Sequence, residues 1–294
     1  MNAILATPAP ARAVEQVSAS QVAPVGTFTV RRALPFRGRH SVGPWVFLDH
    51  FGPLRVKPGE DGVGPHPHAG IETVTYLLSG RQEHRDSAGH TGIVSAGGAQ
   101  WMTAGGGVVH AERPVPETEA EHTLHGIQLW TSLPRLLKTM PPRYQRIDAQ
   151  AIPTIAVEGG QVRAIAGDFA GTPGPAQTLM PTLLWHVSLE PGARFSGLLP
   201  EGHEAAVYVI AGAAQLAGNY ARTGELAVLA TTNGPVAFES AGNERLDALV
   251  LGGAPAEGPL VFHGPFVMNS VDQVRAAEIA YRTGRMGHLG SDPL

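Results

Sequence analysis

The sequence predicts an all-β protein: two similar β-barrels with a few short helices, one of them near the C-terminus. Three observations point there. Short apolar runs recur between turn-forming residues, 37 glycines and 25 prolines are dispersed along 294 residues, and one segment is repeated. Dispersed Gly and Pro punctuate many short elements, whereas one low-complexity tract would gather them.

The runs justify themselves one by one. Gly26–Arg31, Trp45–Leu48, Thr73–Leu78, Gly92–Val94, Gly126–Trp130, Leu183–Leu189, Ala206–Ile210, Ala227–Leu229 and Ala248–Leu251 have strand lengths, most with Gly, Pro, Asn or Asp close by. Two stretches have helical character. Ser132 is placed to cap a short helix through Lys138, stopped by Pro141 and Pro142. Ser270 and Gln273 form a capping-box pattern, Val271, Val274, Ala277 and Tyr281 follow helical spacing, and Gly284 closes the helix.

The repeat aligns Gly70, Glu72, Tyr76 and Gly80 with Gly202, Glu204, Tyr208 and Gly212 at one offset. It implies two similar barrels. The expected organisation is a flexible tail over 1–22, a metal-binding barrel over 23–140 and a connecting segment over 141–174. A metal-free barrel carrying the C-terminal helix follows over 175–284, then a tail over 285–294. At the same offset Leu198 and Pro200 stand where the first copy has His66 and His68.

Composition excludes several functions. The net charge is −4 and no Lys/Arg run exists, so direct nucleic-acid binding is not expected. No apolar run approaches the roughly 20 residues of a membrane span. The first twenty residues lack the charged and apolar regions of a signal peptide, and a cytoplasmic location is expected. With no cysteine, thiolate ligands and thiol catalysis are impossible. Any metal must be held by His, Asp or Glu.

Two pairs carry that chemistry. In a strand, residues i and i+2 share a face. His66 and His68 form one such pair, and His110 and Glu112 the other, just beyond Gly105-Gly106-Gly107. Together they offer three imidazoles and one carboxylate to a single divalent transition metal. That donor set suits Fe, Mn, Ni, Cu or Zn. A closed, four-coordinate zinc site is the competing bland reading. Glu72 is the rival carboxylate. In a straight strand it lies about 13 Å beyond His68, and its counterpart Glu204 persists where the histidines do not, so a structural or neighbouring role is expected. Gln128 is a candidate to face the pocket. His84, His90, His122 and His125 carry little weight, Trp101, Met102 and Trp130 are assigned to the core, and Asp49 and His50 to a turn.

These residues resemble a known family. His66-Pro-His-Ala-Gly-Ile-Glu-Thr-Val-Thr-Tyr-Leu-Leu-Ser-Gly80, Gln100-Trp-Met-Thr-Ala-Gly105 and Val109-His-Ala-Glu112 look like the pirin signature. Leu48-Asp-His-Phe-Gly-Pro53, Gly126-Ile-Gln-Leu-Trp130 and Pro141-Pro-Arg-Tyr144 match too, and the similarity runs from about Val30 to Gly284. The resemblance implies a bicupin, two jelly-roll-type β-barrels, with one metal, expected to be Fe(II), on His66, His68, His110 and Glu112. Two departures, Gly106 where many relatives have Arg and Arg85 where an acidic residue is common, predict altered charge near the pocket mouth.

Two functions follow from the resemblance. One is a dioxygenase of the quercetin 2,3-dioxygenase type, which opens a flavonol with O2 and releases carbon monoxide. Glu112 would then be catalytic, taking the flavonol proton. The other is an iron-dependent, redox-sensing co-regulator that acts through protein partners.

Overall fold

The computed structural model describes residues 10–26, 28–116 and 120–289. In chain order the strands are β1 Val14–Ala19, β2 Gln21–Val25, β3 Phe28–Leu34, β4 Trp45–Val56, β5 Val63–His68, β6 Ile71–Ser79, β7 Arg81–Asp86, β8 Thr91–Ser95, β9 Ala99–Thr103, β10 Val108–Pro114, β11 His122–Ser132, β12 Arg143–Ile147, β13 Thr154–Val157, β14 Gly160–Ala166, β15 Asp168–Phe169, β16 Thr172–Pro173, β17 Thr182–Leu189, β18 Arg194–Gly197, β19 Glu204–Ala211, β20 Ala213–Leu216, β21 Asn219–Arg222, β22 Glu225–Leu229, β23 Val236–Ser240, β24 Leu246–Gly253, β25 Val261–His263 and β26 Phe266–Met268. One α-helix, α1, spans Val271–Arg282. No described helix is long and apolar enough to cross a membrane.

Each half has the same plan. A seven-stranded sheet ordered β12-β9-β6-β11-β4-β3-β2 faces a four-stranded sheet ordered β5-β10-β7-β8. In the second half the orders are β1-β22-β19-β24-β17-β14-β13 and β18-β23-β20-β21. Strand by strand the orders correspond, and β6 and β19 are the repeated segment. The expected strands at Trp45–Leu48, Thr73–Leu78 and Ala206–Ile210 are the middles of longer ones.

Period-two alternation decides what each large sheet covers. In β6, Val74 and Tyr76 point out of the barrel, while Thr73 and Thr75 point in. Val74, Tyr76, Trp101, Ile127 and Leu129 join Leu184, Ala206, Tyr208, Leu249 and Leu251 in one buried cluster. The two large sheets therefore pack against each other through their outer faces.

The domain boundaries differ from expectation. Residues 14–25 are strands, not tail: β1 pairs with β22 of the second barrel, and β2 pairs with β3 of the first. Arg12 fastens the start of the chain to the carbonyls of Gly234 and His203. Met1–Ala9 and residues 290–294 of the two expected tails lie outside the described residues. The expected connector over 141–174 is also strand: β12 completes the first large sheet on β9, and β13 and β14 belong to the second. A chain with a free sheet edge on each barrel gains backbone hydrogen bonds by covering both edges.

The C-terminal end returns to the first barrel. Phe266, Met268, Val274, Ala277 and Met286 pack with Ala69 and Val109, and Val267 N donates to Ala69 O. Ser270 caps α1 by accepting from Gln273 N, as its sequence predicts. The expected helix over Ser132–Lys138 is only a 3-10 turn over Arg135–Leu137. Ser132 still belongs to β11, and its hydroxyl accepts from Lys138 Nζ. That buried ammonium also donates to Gly70 O and Val267 O, so its side chain pins the returning strand to the first barrel.

Candidate metal centre

The pairing registers bring the two sequence pairs together. β10 lies between β5 and β7, with His110 opposite His66 and Val108 opposite His68 on one side. On the other side Glu112 is opposite His84 and His110 opposite Asp86. Inward-facing residues of three neighbouring strands thus converge on His110, which is fully buried.

Donor atoms of His66, His68 and His110 lie within 4.8 Å of one another, and those of His84, His110 and Glu112 form a second such triad. Glu112 therefore joins the cluster from the His110 side and not as an equal neighbour of all three imidazoles. Its Oε1 accepts from Thr75 Oγ1 at 3.0 Å and from Gln100 Nε2 at 2.9 Å. Gln100 is itself oriented by Tyr144, whose hydroxyl donates to Gln100 Oε1 at 3.2 Å.

The hydrogen bonds fix which ring nitrogens are bare. A carbonyl only accepts, so His66 Nδ1, 2.8 Å from Gly64 O, carries a proton. His68 Nδ1 does likewise toward Pro265 O at 3.2 Å. In its neutral form each of these rings keeps an Nε2 lone pair. Burial, then the neighbouring imidazoles, hold the pKa values of His68 and His110 well below the ordinary histidine value. Neutral imidazole is the form that binds a cation.

This donor set fits a divalent transition ion. His66 Nε2 and His110 Nε2 are 2.9 Å apart, and two nitrogens bound cis at about 2.1 Å stand about 3.0 Å apart. A divalent ion there would be held by the Nε2 atoms of both rings in place of the hydrogen bond between them. Three imidazoles and a carboxylate, with no sulfur, leave the identity of the ion open among the first-row metals.

Beside the cluster runs a pocket of about 960 Å3, reaching His66, His68 and Glu112. Its walls are mostly apolar, among them Phe28, Val30, Phe47, Phe51, Leu124 and Trp130. Trp130 lies edge-on to His68 at 4.9 Å and stacks on Phe47 at 4.1 Å. The Arg32 guanidinium covers Phe47 at 4.7 Å and is held by a two-pronged hydrogen bond to Asp49. Asp49 neutralises Arg32 within that wall. Phe262, Gly264 and Pro265 bring the returning C-terminal segment to the same pocket.

Several expectations change here. Glu72 lies on the outer face of β6, where Thr103 and Thr131 donate to its two oxygens. Alternation puts it on the Tyr76 side, away from the histidines, and burial raises its pKa. Gln128 does line the pocket, and its Oε1 shares the single Thr75 hydroxyl proton with Glu112 Oε1. Trp101 and Met102 are core, but Trp130 is pocket wall. Asp49 and His50 sit in the middle of β4 rather than in a turn. Arg85 pairs with Glu83, and neither it nor Gly106 lines the pocket. Nothing in the sequence marks Arg32, Phe47 or Thr75, and His84, given little weight there, stands directly behind His110. For His84 a signal existed: His84-Arg-Asp86 has the same i, i+2 spacing as the two pairs that were found.

Two barrels with a His/Glu cluster in the first define a cupin-type protein with a candidate metal site. Residues 27–131 match the pirin family and residues 184–287 the pirin C-terminal cupin domain; the chain belongs to the pirin family. A Pseudomonas aeruginosa protein provisionally named a quercetin 2,3-dioxygenase is 36% identical, over 88% of this chain and 92% of its own. Human pirin is 35% identical, over 88% of both chains. Among solved structures, a quercetin 2,3-dioxygenase from Acinetobacter baumannii superposes with a TM-score of 0.89 at 33% identity, covering 96% of this chain and 100% of that one.

Proposed function

We propose that this pirin is an O2-dependent dioxygenase of the quercetin 2,3-dioxygenase type, with one Fe(II) held by His66, His68, His110 and Glu112. The observation that carries the reading is the apolar pocket that ends on the histidine cluster. A co-regulator that signalled only through its surface has no need of a ligand-sized cavity beside its metal. When bound, the ion lowers the pKa of a coordinated hydroxyl and supplies the one-electron chemistry that O2 requires.

The protein residues do the rest. Trp130 and Phe47 form an apolar wall along which a planar flavonol passes toward the cluster. Arg32, already neutralised by Asp49, leaves that wall free of an unpaired charge. Glu112 takes the flavonol hydroxyl proton on a carboxylate oxygen. Thr75 and Gln100 hold Oε1 in place during that transfer. The apolar lining excludes bulk water, which protects a flavonol anion from reprotonation.

The test is O2 uptake and carbon monoxide release with quercetin, using protein reconstituted with Fe(II), Mn, Ni or Cu in turn. Metal-dependent carbon monoxide, absent in His66→Ala, is the expected result. No carbon monoxide from any fully loaded form would sink the reading and favour the redox-sensing co-regulator, acting through a protein partner.

A further inference from the structure

Behind His110, on the side away from His66, the structure contains a chain of side chains that the proposed reaction does not use. His110 Nδ1 is 3.3 Å from His84 Nδ1. His84 Nε2 is 3.1 Å from Asp86 Oδ2. Asp86 Oδ1 accepts from the backbone N–H groups of Ala88 and His90 at 3.0 Å each, and Oδ2 is 2.9 Å from His90 Nδ1. The Tyr144 ring lies flat on His84, centroids 4.6 Å apart and planes 13° apart, which fixes the imidazole orientation.

With a cation rather than a proton between His66 Nε2 and His110 Nε2, which stand 2.9 Å apart, these contacts have one consistent set of proton positions for neutral rings. A carboxylate accepts and cannot donate, so the His84 proton must be on Nε2. His84 Nδ1 is then a bare acceptor. Among the described residues its hydrogen-bond partner is His110 Nδ1, which then carries the proton of its own ring. His110 Nε2 is left bare and points toward His66. The two other histidines of the cluster reach the same state more simply, through the carbonyls of Gly64 and Pro265. Among the three, His110 alone has its tautomer set by another titratable ring.

We propose that Asp86 and His84 are positioning residues that act in series: Asp86 sets the tautomer of His84, and His84 sets that of His110, so that the His110 Nε2 lone pair faces the metal. The inference rests on the reading that the first-barrel histidines hold a metal. It goes further by assigning to Asp86, which touches no proposed ligand side chain, control over one of them. A carboxylate behind a metal-binding histidine ordinarily acts directly; here an imidazole relays it.

The sharpest variant is Asp86→Asn. Its amide oxygen can still accept from Ala88 N and His90 N, so the turn is kept. Its amide N–H then faces His84 Nε2 and reverses the polarity of the series. His84 Nδ1 becomes the donor, His110 Nδ1 the acceptor, and the His110 proton moves to Nε2, where it blocks the metal. The readouts are Zn(II) affinity by chelator competition and the protonation of each ring nitrogen by long-range 1H–15N correlation on metal-free, histidine-labelled protein.

The expected results are Zn(II) binding weakened about 10- to 100-fold in Asp86→Asn, with an unchanged circular dichroism spectrum and His84 protonated on Nδ1. His84→Phe should lose affinity similarly. His84→Gln, whose amide oxygen can accept from His110 Nδ1, should recover most of it; a purely space-filling role would favour Phe over Gln. Asp86→Asn protein with wild-type affinity and an unshifted His84 proton would overturn the inference. Wild-type protein that binds no Zn(II) at all would instead overturn the metal-site reading on which it stands.

Discussion

The two barrels share a strand order but not an interior. Equivalent positions are fixed by register: Tyr76 and Tyr208 are paired to Ile127 and Leu249, and Thr75 and Val207 to Gln128 and Val250. Thr75, Gln100, Gln128 and Asp49 of the first barrel therefore correspond to Val207, Ala227, Val250 and Trp185 of the second. Where the first barrel's small sheet aims His66, His68, His84 and His110 inward, the second barrel's packs Phe195, Ala214, Leu216, Val236 and Phe238 into an apolar cluster. Of the four polar positions Thr75, Gln100, Gln128 and Asp49, three carry only carbon side chains in the second barrel, and the fourth carries Trp185, whose indole N–H is the one polar atom left there. A half-converted interior would leave hydroxyls and amides without partners, which costs more than either complete solution.

What survives in both barrels lies on the outer face, where they meet. Tyr76 OH is 2.9 Å from His186 Nδ1, and Tyr208 OH is 2.9 Å from His50 Nδ1. His50 and His186 hold the same register position, opposite Ile127 and Leu249. Each barrel thus offers a tyrosine to the other's histidine. The repeat seen in the sequence records this interface, not the metal chemistry.

If the second interior is packing and the first is chemistry, truncating the second should cost stability alone. Phe238→Ala opens a cavity beside Phe195 in the apolar cluster. It should destabilise the protein by about 3–5 kcal/mol in urea unfolding, while Zn(II) affinity per folded molecule stays at the wild-type value. A loss of affinity at constant fold would show that the second barrel shapes the metal site and would break the comparison.

That division explains what could be read from the sequence. The metal pairs were legible because i, i+2 spacing survives any register, and the repeat was legible because Gly70, Glu72, Tyr76 and Gly80 keep one offset. The offset failed for the histidines themselves. It placed Leu198 and Pro200 at the metal positions, yet both lie in the 198–203 loop, and Leu198 is exposed. The equivalent loop in the first barrel is only Ala69 and Gly70. Domain boundaries were illegible for a similar reason. That β1 belongs to the second barrel and α1 to the first depends on pairings across more than 150 residues, which no local pattern encodes. Pocket residues such as Arg32 and Phe47 were hidden because a single inward side chain on a strand carries no signature of its own.

The interface comparison is sharpened by acid. Burial, then His125 and Arg31, push the pKa of His50 down to about 3, so the folded protein keeps His50 neutral where an unfolded chain would protonate it near the ordinary value of about 6.5. Between those two values the unfolded state binds the extra proton. The His50 contribution is therefore complete above about pH 6.5 and is lost progressively as pH falls toward 3. One proton corresponds to about 1.4 kcal/mol per pH unit. From pH 7 to pH 5 the stability of wild type should fall by about 2 kcal/mol more than that of His50→Gln, measured on metal-free protein of both kinds. Equal losses in the two proteins would mean that His50 is not held neutral at the interface.

The smallest effects separate the two tyrosines. Tyr208→Phe removes the partner of His50 Nδ1, a nitrogen of a residue only 2% exposed. The abandoned nitrogen cannot reach water, so the cost should be about 1–3 kcal/mol. Tyr76→Phe removes partners from His186 Nδ1 and Arg163 NH1. His186 retains Asp247, Arg163 retains the carbonyl of Ala149, and both are half-buried rather than fully enclosed. Water can replace the lost hydroxyl there, and the cost should be about 0.5–1 kcal/mol despite the larger number of bonds broken. Thermal unfolding of the two variants side by side gives the order. A larger loss from Tyr76→Phe would mean that bond number outweighs enclosure at this interface, and that the two tyrosine–histidine pairs differ in strength in the opposite sense to their burial.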